Sequence, residues 1–207
     1  MAVGDTMRRV VGKFLLRTET LREQVATLRP RQCGVGVPYA AEHVGMGMRG
    51  LVHGIDAQEN PWVALQVDLR NAFNRVDRTA MLTVALARTP AAYSWLAWCY
   101  AEAAPLVCQG AHLCESKRGV HQGDAMGPLG FALGLEQALD ACRAQQDALP
   151  WVSWYLDDGT IVGSLEAVHA YLSALGPALA ECGLEVNLSK CTVWGPGCPA
   201  SWADSAP

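Results

Sequence analysis

Two apolar runs in this chain end in aspartate. Trp151–Leu156 leads directly into Asp157-Asp158-Gly159, and Thr160–Gly163 continues beyond it. A glycine beside two acids, between two β-prone arms, reads as a hairpin. In the second run Val63, Leu65 and Val67 alternate with Ala64, Gln66 and Asp68. That is the period of a strand with one buried face. Carboxylates at the ends of buried strands lose hydration, and neighbouring ones repel. Any fold of this chain has to offset those costs.

The remaining elements follow from periodicity and punctuation. Residues 6–28 carry Met7, Val10, Val11, Phe14, Leu21, Val25 and Leu28 at helical spacing until Pro30 breaks the pattern. Residues 33–38 are a turn-rich link, and Ala40 to Gly54 reads as a helix. Asp77 is placed to cap a helix to Arg88, with helical character again over Tyr93–Ala103. Residues 106–114 read as a strand before a loop at Lys117–Gly123. Asp124 is placed to cap a helix running to Gln146, with Pro128 in its first turn. A helix over 165–182 is closed by Gly183, and strands near Leu184–Val186 and Cys191–Trp194 finish the pattern. The order is that of an α+β fold with a split β-α-β-β-α-β (ferredoxin-like) sheet, helices on one face and the other face free for a ligand.

The composition, 51% hydrophobic and 17% charged over 207 residues, supports a buried core. No stretch nears the roughly 18–20 apolar residues of a membrane span. The first residues lack the character of a signal peptide, so a soluble intracellular protein without a membrane partner is expected, its compartment open. The eight cysteines form no C-x-x-C pair, which argues against structural zinc and a disulfide framework. Residues 1–31 hold seven basic side chains against three acidic ones, although the whole chain has a net charge of −4. A basic arm beside an acidic body suits a site for both phosphates and cations; a solvated basic helix face is the bland alternative.

Taken alone, Asp-Asp-Gly is a common solvated turn, and Asp68 a residue that caps its loop. The sharper reading is a site for Mg²⁺, which takes oxygen ligands and keeps waters, so two or three carboxylates plus substrate phosphates suffice. Two such ions about 3.5–4 Å apart activate a hydroxyl and stabilise a leaving group. No P-loop or Ser-His-Asp pattern is present, and His121, without a paired acid, reads as incidental.

Four motifs, taken together, carry a family resemblance. Val67-Asp68-Leu69-Arg70-Asn71-Ala72-Phe73 resembles the first carboxylate motif of reverse transcriptases. Gly119-Val120-His121-Gln122-Gly123-Asp124-Ala125-Met126-Gly127-Pro128-Leu129 resembles their glycine-rich second motif. Tyr155-Leu156-Asp157-Asp158 resembles the third, and Gly183-Leu184-Glu185-Val186-Asn187-Leu188-Ser189-Lys190-Cys191 the fourth. They occur in family order over roughly residues 62–194. Upstream, residues 3–13 look like a fingers segment, and the whole is most similar to the non-LTR retroelement group. The resemblance implies an RNA-directed DNA polymerase: a polymerase palm with that split sheet and partial helical fingers, acting on an RNA template, a DNA primer and deoxynucleoside triphosphates. It implies a partial fingers segment at 1–60, the palm at 61–195 and a frayed tail at 196–207.

Residue by residue, the resemblance implies that Asp68, Asp157 and Asp158 hold two Mg²⁺ ions, with Mn²⁺ as substitute, the Leu69 carbonyl assisting. Phe73 would lie under the incoming sugar and reject a 2′-hydroxyl. Gln122 and Gly123 would position template and nucleotide, and Lys190 would protonate the leaving pyrophosphate. Arg29 and Arg31 would contact template or phosphate backbone. Two alternatives stay open. An RNA-dependent RNA polymerase shares the palm and metals, but it usually has a polar group where Phe73 stands and Gly where Leu156 stands. A remnant that only binds nucleic acid or a partner is the other, because no primer grip or helical thumb is recognisable; a longer chain or a partner would then supply the thumb.

Overall fold

The structure is a computed structural model, and it describes residues 6–54, 61–196 and 198, with 52–54 described by backbone alone. The N-terminal third is helical: α1 (Thr6–Leu15), α2 (Glu19–Ala26) and α3 (Ala40–Gly54). Strand β1 (Trp62–Val67) follows, then α4 (Ala72–Arg75), α5 (Arg78–Arg88) and α6 (Pro90–Tyr100). A hairpin of β2 (Ala104–Cys108) and β3 (Ala111–Ser116) leads to α7 (Gly127–Ala141) and α8 (Arg143–Gln146). The chain continues through β4 (Trp151–Tyr155), β5 (Asp158–Ser164), α9 (Leu165–Glu181), a 3₁₀ turn at Leu188–Lys190 and β6 (Thr192–Trp194).

Strands β4, β5, β1 and β6 form one antiparallel sheet in that order. The expected split β-α-β-β-α-β topology is therefore present, with the β2–β3 hairpin as a separate two-stranded insertion. Helix α9 packs on β1 and β5, and α7 packs between α9 and α5. Every residue of α7 from Leu129 to Glu136 is buried, as expected for a helix enclosed on all sides. Gly130 and Gly134, one turn apart, leave α7 bare where α5 and Val76 cross it; a Cβ at Gly130 would lie 2.9 Å from Met81 Sδ.

Glu136 is fully buried on α7 and forms ion pairs with Arg31 and Arg88, which both also reach Asp140. Burial raises the Glu136 carboxyl above its ordinary value, and Arg31 and Arg88 oppose that rise. An acid so enclosed is tolerable only with cations at hand.

Several local expectations are corrected. Residues 106–114 are not one strand but parts of two, reversing at Gln109 (φ 51°) and Gly110 (φ 81°). Leu184–Val186 forms no strand, only a single bridge from Val186 to Leu69. The hairpin tip is Leu156-Asp157, so Asp158 and Gly159 lie inside β5. Leu156 takes the left-handed conformation that the reversal requires. Helix α6 starts at Pro90 and ends at Tyr100, earlier than read, because Ala104 already belongs to β2. Asp124 accepts from Met126 N, and α7 itself begins at Gly127; it stops at Ala141, with Arg143–Gln146 a separate turn. The Asp77 cap is as expected, accepting from Thr79 N and Ala80 N. The tail beyond 198 and the start of the 3–13 segment lie outside the described residues.

Gly119 tests the packing between α4 and the loop after β3. Its φ is +69°, and a Cβ there would collide with the backbone of Asn74. Gly110 has φ +81° and open space around it. Gly110→Ala should cost about 1 kcal/mol of backbone strain. Gly119→Ala should cost clearly more, lowering Tm by several degrees beyond the control at about 2–4 °C per kcal/mol. Thermal melts followed by circular dichroism read the difference; equal losses would remove the Asn74 contact from the account.

Candidate active site

Register brings the acids together. Val67 pairs with Gly159 and Gln66 with Thr160, so Asp68, just past β1, comes level with Asp158 at the start of β5. Neighbouring antiparallel positions lie about 4.5–5.5 Å apart at Cα. Asp157 precedes them at the hairpin tip. The Asp157 carboxyl is raised, first by burial and then by the charges of Asp158 and Asp68, against a backbone hydrogen bond that lowers it. The Asp158 carboxyl is raised by burial and by Asp68.

Two side chains that sequence reading missed hold these acids in place. Asn187 Nδ2 donates to Asp68 Oδ1 at 2.9 Å, while Asn187 N donates to Asp68 O at 2.8 Å. Gln32 is 1% exposed and acts as an extra peptide group beside the tip. Its Oε1 accepts from Leu156 N (2.8 Å) and Gly34 N (2.9 Å), and its Nε2 donates to Leu156 O (3.3 Å). The flanking backbone continues the pattern, with Trp154 N donating to Arg31 O and Cys33 N to Trp154 O. The signal in sequence was a glutamine before a glycine-rich link, too common to single out.

The acids stand between two clefts of about 570 Å³ each. One is lined by Phe73, Gln122, Gly123, Asp124 and Asp157. There Phe73 stacks on Phe131, with centroids 4.5 Å apart and planes 20° from parallel. Gly123 has φ +80° and no atom near a notional Cβ, so it serves backbone direction rather than space. The other cleft is lined by Asp68, Asp158 and Lys190, the last of these exposed on its 3₁₀ turn. The Leu69 side chain is buried, and the bridge bonds beside it use Asp68 O and Arg70 N.

Among the described residues, no three His, Cys, Asp or Glu side chains are close enough to hold a metal ion by themselves. The donor chemistry still fits a hard divalent cation: oxygen ligands only, and two carboxyls whose charge is disfavoured without a counter-ion.

Two expected contacts are not brought to the clefts. The Arg31 guanidinium is buried against Glu136 and Asp140, so its charge is spent inside the fold rather than on a nucleic-acid backbone. Arg29 is exposed but donates to Gly36 O at 2.7 Å, and with Arg31 it lines a separate 200 Å³ cavity. His121, read as incidental, is hydrogen-bonded to Arg8 and Ser116. Its imidazole is held below the ordinary value by burial and by Arg8 and Arg78, against Asp124.

The raised acids set a pH dependence. The folded state holds the Asp157 proton more tightly than the unfolded chain, so stability falls as pH rises from the ordinary carboxylate value of about 3.9 through the raised one. Asp157→Asn in EDTA should therefore melt higher than the parent at pH 7, the gap closing near pH 3. Adding millimolar Mg²⁺ should raise the parent's Tm more than the variant's. A variant that melts lower than the parent at pH 7 in EDTA would contradict the unfavourable ionisation.

The sequence profile of the reverse transcriptase (RNA-dependent DNA polymerase) family matches residues 8–198. No curated protein matches the chain. Among solved structures, telomerase from Candida albicans, determined in complex with a TWJ fragment of telomeric RNA, superposes with a TM-score of 0.63 at 14% identity. The match covers 94% of this chain and 35% of the telomerase chain, so the chain spans about a third of that protein's length. At this identity the likeness speaks for the fold, which is that of a polymerase palm. With the profile covering nearly all described residues, the chain belongs to the reverse transcriptase (RNA-dependent DNA polymerase) family.

Proposed function

We propose that this chain catalyses RNA-templated addition of deoxynucleotides to a DNA primer, with the three aspartates holding two divalent cations, Mg²⁺ or Mn²⁺. The observation that carries the reading is the β1–β5 register, which sets Asp68 level with Asp158 and next to Asp157, whose own cleft contains Phe73, Gln122 and Gly123. Asp68 is oriented by Asn187 and Asp157 by the Gln32–Leu156 bonds, so the acidic edge is preorganised. The bound ions would lower the pKa of the primer hydroxyl and offset charge on the leaving pyrophosphate.

The chain's own groups do the rest. The Phe73 ring, backed by Phe131, forms a firm floor that excludes a 2′-hydroxyl and selects deoxynucleotides. Gln122 and Gly123 present exposed polar backbone to template and nucleotide. Lys190, which lines the cleft of Asp68 and Asp158, would give a proton to the pyrophosphate. The Leu69 carbonyl lies next to Asp68 as a further oxygen ligand.

Primer extension on an RNA template tests this. Asp157→Asn should lower incorporation by about 10²–10³-fold, the loss typical of a removed electrostatic stabiliser. Phe73→Val should raise ribonucleotide use relative to deoxynucleotide by about 10-fold or more, within the range of one altered steric contact. Equal incorporation by parent and Asp157→Asn, or none by the parent in Mg²⁺ and in Mn²⁺, would overturn the proposal.

A further inference from the structure

Helix α1 meets the rest of the fold along one narrow face. Arg8 and Gly12 are one turn apart and point the same way. A Cβ at Gly12 would lie 3.0 Å from Met126 Cγ and 3.3 Å from Ala125 Cβ, so only bare backbone lets α1 lie this close to the loop 121–126. Arg8 enters the same loop. Its Nη1 is 3.0 Å from His121 Nδ1, and its Nη2 donates to Asp124 Oδ2 at 3.2 Å and to Cys99 O at 3.3 Å. The guanidinium also lies 5.0 Å from the centroid of the Tyr100 ring.

Asp124 is the centre of this arrangement and is 5% exposed. Its Oδ2 also accepts the Tyr100 hydroxyl at 2.6 Å, and its Oδ1 accepts Met126 N at 2.9 Å. The Tyr100 hydroxyl in turn accepts His121 N at 3.2 Å. The loop is thus pinned at 121 and again at 124–126. Gln122 and Gly123 lie between the two anchors, exposed in the cleft. A buried carboxylate is costly unless cations and donors meet it, and here Arg8, the Tyr100 hydroxyl and Met126 N all do. What a charged hub adds is geometry.

We propose that Arg8 and Asp124 are positioning residues: their ion pair latches helix α1 onto the loop and thereby sets Gln122 and Gly123 for the incoming nucleotide. This rests on the polymerase reading. The pair reaches the substrate only through those two residues, and α1 cannot lift away without breaking the Arg8 contacts to His121 and Asp124, the residues that flank them. Outside the latch, the same helix exposes Arg9 and Lys13 one turn apart, so phosphate charge arriving from solvent acts on the element that the latch holds.

Arg8→Gln, Arg8→Lys, Asp124→Asn and the double variant Arg8→Gln/Asp124→Asn test it in the full chain. Asp124→Asn removes the charge and turns one of the two acceptor oxygens into a donor, so its single amide oxygen can serve Tyr100 or Met126 N but not both. In primer extension each of Arg8→Gln and Asp124→Asn should raise KM for the deoxynucleotide about 10-fold with a smaller change in kcat. The double variant should be no worse than the worse single, and Arg8→Lys should recover most of the loss. A role as mere structural cement would instead lower the active fraction at unchanged KM, which overturns the proposal.

Hydrogen–deuterium exchange supplies a readout independent of activity. In Arg8→Gln, the segment 117–127 should exchange at least 10-fold faster while 151–164 is unchanged. No change in 117–127, or an equal rise in both segments, would overturn the latch even if the parent polymerises. A selective rise in an inactive parent would leave the latch standing and sink the polymerase reading alone.

Discussion

A slip of one residue between β1 and β5 would send Asp68 to the face opposite Asp158 and take the acidic edge apart. The register is therefore the constraint on which the rest depends, and the core enforces it from both strands. Val63, Leu65, Ile161 and Val162 are all buried in the present pairing. Gly159, opposite Val67, leaves room for the Trp154 ring, which a Cβ there would approach to 2.8 Å. Sliding β5 along β4 by one position would place Thr160 or Asp158 against that ring, so the same glycine fixes the hairpin that carries Asp157 and Asp158. Close packing in the interior thus sets the distance between charges at its rim.

The acids at the rim are held without being matched by protein cations, whereas Glu136 and Asp124 in the interior lie against arginines. Glu136 has Arg31 and Arg88, and Asp124 has Arg8. Asp157 and Asp158 form no ion pair among the described residues, and no cation opposes the rise of their carboxyls as Arg31 and Arg88 oppose that of Glu136. Carboxylates left uncompensated at one edge, in a chain that elsewhere pairs its buried acids, suit an ion that comes with substrate.

Legibility followed distance along the chain. The Asp77 cap reads from three adjacent residues, and α3 from one periodic run. The acidic edge was readable because Asp68 follows one apolar strand and Asp157 and Asp158 follow another. The β2–β3 hairpin was not, since its residues are mostly exposed on both faces and no alternation marks the arms. The fate of Arg31 was hidden as well: nothing near it in sequence announces Glu136, 105 positions later, and an isolated arginine is ordinarily solvated. Asn187 and Gln32 act on partners 119 and 124 residues away. A lone amide in sequence carries no mark of such a partner.

Arg78 makes most of the polar attachments at the base of the β2–β3 hairpin. Its guanidinium donates to the carbonyls of Glu102, Ser116, Arg118 and Gly119 and to Ser116 Oγ. Four of the five acceptors are backbone atoms, indifferent to which side chains the hairpin bears. The arm beyond is consequently free to diverge in length and composition among descendants of this chain, while the socket that anchors it stays the same.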